Sequence, residues 1–518
     1  MGSVTAGRST GAGLSGGEDQ DAGGGRLTAF AWRPVSAVGA ILAAVLVASS
    51  GAYGYHRDEL YFLACARHLA WGYPDQPLFV PLVARLMSDI APTSLVVLRL
   101  PSALAALAVV VLTGLIAREL GGSRGPQVLA SSAIAISALL DASGHTLNTN
   151  VFDLAAWALV CWLVVRILRT GRDRLWVVLG CAVGLGLLGS DLIAFLMFAI
   201  VVGLVLVGPR HAFTSPWLYA GGLLAIVMWL PYLAWQAGHG WPELTVAQSI
   251  ANGGSGTSAP RWLLLPEQLV LVSLFLSPIW IAGLIRLLRH RAMRRWRALG
   301  VAYVVLAATF IITGGKPYYL GGALPLLLAA GAEPVLRWLG RGRVPLRRAV
   351  IVTAFALTLG ALPVTLPLVP VGDLHKTSVV KLNYDAGETV GWPTYVRQIA
   401  AVDKALPLAA RPSTIVLASN YGEAGAVDRY GPGDSLPAVY SGHNAYWYWG
   451  PPPANTTTAI AVGFDRDQLS ALCGTLRRAA DLNNHLAVSD DEQGAPVWVC
   501  SNLRESWARV WPTLRQFG

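Results

Sequence analysis

A chain of 518 residues with 54% hydrophobic and only 13% charged residues is too apolar for an ordinary water-soluble enzyme. Its formal charge of +10 does not mark a nucleic-acid partner, because the basic residues form no single surface. Arginines gather instead in short segments between apolar runs, the pattern that orients a multi-pass protein in its bilayer.

Residues 1–30 are rich in Gly, Ser, Ala and Asp and read as a disordered cytoplasmic tail. The first apolar run, 35–51, follows Arg26 and Arg33 without a convincing small-residue cleavage site, so it reads as a retained transmembrane helix. Directly after it stands Tyr55-His56-Arg57-Asp58-Glu59-Leu60-Tyr61, two adjacent acids and a cation at a membrane edge. Such a cluster is a functional-site candidate; the plainer reading is a solvated interfacial turn. The stretch 52–95 mixes polar and apolar residues with Trp71, Tyr73 and prolines 74, 77 and 81, and reads as an outer loop with short interfacial helices. Apolar runs follow near 96–117, 126–141, 151–168, 175–189, 192–208, 217–234, 264–285, 298–313, 319–336 and 349–370, about eleven spans in all.

With the amino terminus inside, the inner loops hold Arg118 and Arg124, Arg166 to Arg174, Arg210, Arg286 to Arg297 and Arg337 to Arg348. The same alternation sends the 55–61 cluster, loop 141–150, loop 236–261, Lys316 and everything after 371 to the outer face. Residues 31–371 therefore form the membrane domain, and 372–518 an extracytoplasmic domain. Strand-like runs at 414–418, 438–440, 459–462 and 496–499 alternate there with helical patterns near 394–404, 423–430 and 467–478, which predicts a small α/β layer structure. Cys473 and Cys500 fall in it and can pair if it faces an oxidising compartment. Cys65, Cys161 and Cys181 read as small buried hydrophobes.

Asp58 and Glu59 point about 100° apart in a helix, so they do not form a symmetric pair. One acts as a base within reach of an attacking hydroxyl while the other orients Arg57, a metal or the loop. The second outer loop brings Asp141, His145 and Asp153 to the same face. Asp153 opens a helix, where an acid also simply favours the dipole; His145 also reads as a plain loop residue. This mix permits a divalent metal, but no spacing assigns one and no cofactor is required. In Thr313-Gly314-Gly315-Lys316-Pro317-Tyr318-Tyr319, glycines admit an anion to the backbone and Lys316 supplies a point charge suited to phosphate, against the plainer reading of a snorkelling lysine. Loop 249–261, rich in Gly and Ser, reads as a lid or a plain connection. The aromatic run 443–449 suits stacking on sugar rings, or packing at an interface or domain junction.

Tyr55-His-Arg-Asp-Glu-Leu-Tyr-Phe62, Trp71-Gly-Tyr-Pro-Asp-Gln-Pro77 and the Gly-Gly-Lys-Pro-Tyr-Tyr turn resemble the bacterial branch of the dolichyl-phosphate-mannose protein mannosyltransferases, glycosyltransferase family 39, with which the aminoarabinose transferases of lipid A are grouped. Asn383 to Trp392 and the outer domain look like an actinobacterial-type extension. The resemblance implies a GT-C fold and an inverting transfer of a sugar from a polyprenyl phosphate to an acceptor on the outer face. It implies Asp58 as general base with Glu59 beside it and Asp141 or Asp153 as a second acid. Lys316, with Arg57, Tyr318 and Tyr319, is implied at the donor phosphate. Where many relatives carry a basic residue after the fifth helix, this chain has Gly189-Ser190-Asp191.

The expected protein is thus a mainly α, multi-pass cell-membrane glycosyltransferase. Its partners are the bilayer, a polyprenyl-phosphate-sugar donor and a glycan, lipid or protein acceptor. The alternatives are a polyprenyl-lipid or solute transporter or flippase, with polar groups strung across the bilayer, and a non-catalytic glycan-binding protein of envelope assembly.

Overall fold

The computed structural model describes residues 27–518; the tail expected over 1–30 lies, up to residue 26, outside them. Helix α1 (Trp32–Ser49) is followed by α2 (Arg57–Arg67) and α3 (Phe79–Ile90), then by α4 (Leu95–Glu119). His56 caps α2, with its side chain accepting from the Asp58 N–H while Glu59 reaches back to the His56 N–H at 2.8 Å. The cap starts a helix at the charged cluster and fixes the direction of Arg57, Asp58 and Glu59. At 25 residues α4 is roughly 37 Å long, enough to cross a hydrocarbon core.

The apolar run near 126–141 is not one straight helix. It is α5 (Arg124–Ala135) and α6 (Ala138–His145), bent by 57° where the Ser137 hydroxyl caps the second piece. Helices α7 (Thr149–Thr170), α8 (Leu175–Leu187), α9 (Leu192–Val207) and α10 (Pro216–Gly238) follow. Loop 236–261 carries α11 (Pro242–Ala251). The run near 264–285 is also broken, into α12 (Leu264–Val272) and α13 (Ser277–Arg289), the segments 261–272 and 277–289 meeting at 115°. Then come α14 (Arg297–Thr313), α15 (Leu324–Leu339) and α16 (Val344–Gly360).

Among the described residues seven helices are long and apolar enough to span alone, the two bent pairs pass together, and α8 and α9 are shorter apolar helices. The chain is a multi-pass membrane protein. Its apolar core runs through these helices, and one end of the bundle collects arginine: Arg166 and Arg169 both bind the buried Glu119 carboxylate, and Arg295 donates to the Arg169 carbonyl. The opposite end of α4 and α7 carries Arg99 and Asn148, beside the segment that joins α1 to α4.

Beyond the bundle lie one-turn helices α17 (Leu362–Thr365), α18 (Val379–Leu382) and α19 (Tyr384–Gly387), then α20 (Trp392–Lys404) and α21 (Tyr421–Tyr430). The strands are β1 (Thr414–Ala418), β2 (Val439–Ser441), β3 (Thr458–Val462), β4 (Cys473–Asp481) and β5 (Pro496–Leu503), in the order β2-β1-β3-β5-β4. β2, β1 and β3 run parallel; β5 is antiparallel to both β3 and β4. The helical pattern expected over 467–478 is therefore corrected. One turn of helix (Arg466–Ser470) gives way to β4, an edge strand whose polar and arginine side chains face solvent while its backbone pairs with β5. Pairing with a neighbour overrides the local helical pattern there. Cys473 and Cys500 are joined in a disulfide between these strands.

Alternation sorts the sheet into two packed faces. Ile415, Leu417, Ala459 and Cys500 face one cluster with Trp507 and Trp511. Val416, Ala418, Ile460, Val462 and Val497 join Leu60, Tyr61, Ala64 and Val80 of α2 and α3 in the other. The segment between α1 and α4 is thus part of the sheet's own core. α21 lies against α2 so closely that a Cβ at Gly425 would come within 2.8 Å of the Leu60 carbonyl carbon.

Candidate active site

Where α2, α6, α12, α19 and α21 converge, a cavity of about 680 Å³ opens. Asp58 lines it from the first turn of α2. Its Oδ1 accepts a 2.8 Å hydrogen bond from the Tyr421 hydroxyl, and its Oδ2 lies 3.8 Å from His56 Nδ1. The side chain is 35% exposed, so one oxygen is anchored while the carboxylate still faces the cavity. His56 Nε2 lies 3.7 Å from Asp385 Oδ1. Burial opposes charge on this imidazole, but the Asp385 bond and the carboxylates of Asp58, Asp385 and Glu59 outweigh it and raise His56 to about 9. Once charged, Nδ1 exchanges its capping role for donation toward Asp58. Burial likewise pushes Asp385 up, but His56, Lys316 and Arg57 prevail and hold its carboxyl below the usual range.

Lys316 enters from the turn before α15, its Nζ 2.8 Å from Ser255 Oγ and 5.8 Å from the Tyr318 ring centre. Gly254, Ser255, Gly256 and Thr257 also line the cavity, so the Gly/Ser loop is one of its walls. Tyr318 lines it; Tyr319 turns away and packs on Phe310 at 5.6 Å. Arg57 lines it too, but its Nη1 is engaged by Asp491 at 2.6 Å, Tyr384 at 2.9 Å and Glu388 at 3.2 Å, and its guanidinium lies over the Tyr421 ring. His145 reaches the cavity with both ring nitrogens unpartnered.

Glu59, Asp141 and Asp153 are not among the lining residues. Glu59 is fully buried and saturated: Arg99 binds it through two nitrogens at 2.7 and 2.8 Å, and the backbone N–H groups of His56 and Leu147 donate to it. Burial favours the neutral acid, yet Arg99 and these donors hold its carboxyl below the usual range. Arg99 also donates to the carbonyls of Ser50 and Gly54, tying α4 to the end of α1 and to the segment that follows it. Its signal in the sequence is one arginine inside a long apolar run, which needs a buried partner. Asp141 is buried with one oxygen unpartnered, and Asp153 accepts from the Trp157 indole at 3.1 Å. Tyr384, Asp385, Asn420, Tyr421 and His443, all far along the chain, complete the polar wall. Among the described residues no three His, Cys, Asp or Glu side chains converge to hold a metal ion.

The family model for dolichyl-phosphate-mannose-protein mannosyltransferase matches residues 75–235, a stretch that holds Arg99, Asp141, His145 and Asp153 and begins after Asp58. The crystal structure of ArnT from Cupriavidus metallidurans bound to undecaprenyl phosphate superposes at a TM-score of 0.57 and 15% identity, over 90% of this chain and 97% of that one. The chain has the GT-C fold. The apo state of the same ArnT superposes on this chain over the same shares, at a TM-score of 0.58 and 14% identity. No curated protein matches the sequence. Over the matched stretch the chain resembles the mannosyltransferases. The fold likeness extends through both the bundle and the sheet.

Proposed function

We propose that this GT-C protein transfers a sugar from a polyprenyl-phosphate-linked donor to an acceptor hydroxyl on the extracytoplasmic face, with inversion and with Asp58 as general base. One observation carries the reading: Asp58 and Lys316 share a cavity whose other walls include the aliphatic side chains of Leu139, Val270, Leu271 and Leu366. That lining suits an amphipathic donor, with a prenyl chain against the membrane helices and a phosphate beside the ammonium. The ArnT structure is of a complex with undecaprenyl phosphate, which accords with a lipid phosphate as the carrier here.

In the proposed step the acceptor oxygen attacks the anomeric carbon as its proton passes to Asp58, and the bond from that carbon to the phosphate oxygen breaks. The electron pair leaves on the phosphate, which is already an anion, so no separate acid has to protonate it. A single displacement inverts the anomeric centre. Tyr421 fixes the carboxylate through Oδ1. Lys316 steadies the charge on the leaving phosphate. Arg57 and Glu59 are positioning residues, one holding α2 to the outer domain and the other to α4. The outer-face assignment rests on the arginines gathered at the opposite end of the bundle and on the Cys473–Cys500 disulfide, which suits an oxidising compartment.

The test is Asp58→Asn assayed for transfer from labelled polyprenyl-phosphate sugar. We expect kcat to fall at least a hundredfold while polyprenyl-phosphate binding changes little. Undiminished transfer overturns the assignment of the base.

A further inference from the structure

A second cavity, of about 310 Å³, lies beyond the first and is lined by His68, Tyr73, Trp235, His239, Tyr448 and Trp449 among others. Three parts of the chain build it: the turn after α2, the outer end of α10, and the aromatic run of the outer domain. We propose that this cavity is a saccharide subsite that holds one ring of a glycan acceptor, displaced from the ring that reacts at Asp58.

The walls are aromatic and already oriented. His68 stacks on Trp449 with ring centres 4.3 Å apart, Trp235 stacks on His239 at 4.0 Å, and Tyr448 meets Trp235 edge-on at 5.7 Å. Aromatic rings with polar edges offer what a sugar requires, a flat apolar surface for its C–H face and donors for its hydroxyls. The Tyr448 hydroxyl, on a ring that lines the cavity, is buried and has no hydrogen-bond partner in the protein. A polar group in that state costs free energy unless a ligand or water satisfies it. The walls are held in place by hydrogen bonds from Gln236 Nε2 to the Tyr73 carbonyl at 3.0 Å and from the Tyr73 hydroxyl to the Cys65 carbonyl at 3.2 Å. The volume sits at the low end of small-molecule sites, roughly 300 to 1,000 Å³, and suits a ring rather than a long prenyl chain.

Its position supplies the link to the reaction. His443 lines the first cavity and Ala445 the second, so only a short turn of backbone separates them. That turn is pinned by the Ala445 N–H donating to Tyr61, whose hydroxyl in turn donates to Asp75 at 2.8 Å. An acceptor glycan long enough to span that turn would hold one ring in the aromatic cavity while another reacts at Asp58. That the ligand is an acceptor rests on the transfer reading above; that it is a sugar rests on the aromatic cavity alone.

The experiment titrates the full-length protein in detergent with gluco-, galacto- and manno-configured trisaccharides and follows tryptophan fluorescence, with and without saturating polyprenyl phosphate. At least one trisaccharide should give a saturable change that polyprenyl phosphate does not compete away. Trp449→Ala should weaken it at least tenfold, and Tyr448→Phe, which keeps the ring, about threefold to tenfold. In transfer assays Trp449→Ala should raise the acceptor KM without lowering kcat. No saturable change with any trisaccharide, or unaltered binding in both aromatic variants, overturns the subsite whether or not transfer is observed. Saturable, Trp449-dependent binding without donor consumption upholds the saccharide site and overturns the transfer reading instead.

Discussion

Asp58 and Glu59 are neighbours in sequence and face opposite demands. Asp58 opens on the cavity, whereas Glu59 is buried against Arg99 with all its lone pairs engaged. Removing one partner of a buried pair leaves the other charged and unmatched, which costs roughly 3–5 kcal/mol. Glu59→Gln should therefore lower the unfolding temperature in detergent sharply, and Glu59→Met combined with Arg99→Met should recover much of the loss. An unchanged unfolding temperature in the single variant would show that the pair holds nothing. Because the Glu59 carboxyl is held below its ordinary range, its contribution is present above the usual Glu pKa and fades as pH falls through the depressed value. His56 has the opposite sign. Raised to about 9 from 6.5, it contributes stability that is full below 6.5 and is lost as pH rises through about 9. The natural protein should lose more thermal stability between pH 6 and pH 10 than His56→Gln does, as followed by scanning fluorimetry; equal losses would discount the charged imidazole.

At the level of elements, the site depends on pieces that meet side by side. The turn before α15 reaches the Gly/Ser loop through Lys316 and Ser255, and this loop forms a wall of the cavity. A hydrogen bond to a charged group contributes about 1.5–3 kcal/mol, so Lys316→Met should weaken polyprenyl-phosphate binding roughly tenfold to a hundredfold. Microscale thermophoresis with the lipid phosphate reads this directly, and an unaltered affinity would remove Lys316 from the donor site. The two broken spans read as continuous in the sequence because apolar residues dominate both runs, with only scattered polar residues such as Ser137 and Ser273 between them. Ser137 and the segment 273–276 interrupt them by capping and by sharp turning, not by polarity. Strand β4 was misread for the converse reason: its local pattern is that of a short helix, and only the partner strand β5 makes it extended.

Across the whole molecule, bundle and sheet are one construction, because α2 and α3 lie in the same apolar cluster as the sheet face and α21. The Cys473–Cys500 disulfide closes a loop over a separation of 27 residues at the far edge of that sheet. The chain-entropy argument gives such a loop about 3.5 kcal/mol. Cys473→Ser with Cys500→Ser should lower the stability of the outer domain by about that amount, seen as earlier proteolysis in 372–518 on heating. A proteolysis profile that does not shift would assign the disulfide no structural role.

Apolar runs of spanning length, the alternation of arginine-rich and arginine-poor loops, and four of the five strands are legible in the sequence, since each is a local pattern of hydrophobicity or charge. The Tyr-His-Arg-Asp-Glu-Leu-Tyr cluster stands out for the same reason: charge beside a membrane helix is costly and therefore conspicuous. What the sequence does not contain is who meets whom. Asp58 and its hydrogen-bond partner Tyr421 are 363 residues apart, and Arg57 meets Asp491 across 434. Only tertiary packing, of α2 against α21 for the first pair and against the loop between β4 and β5 for the second, brings those groups together. The same packing decides that of two adjacent acids one faces a cavity and the other is locked in the core.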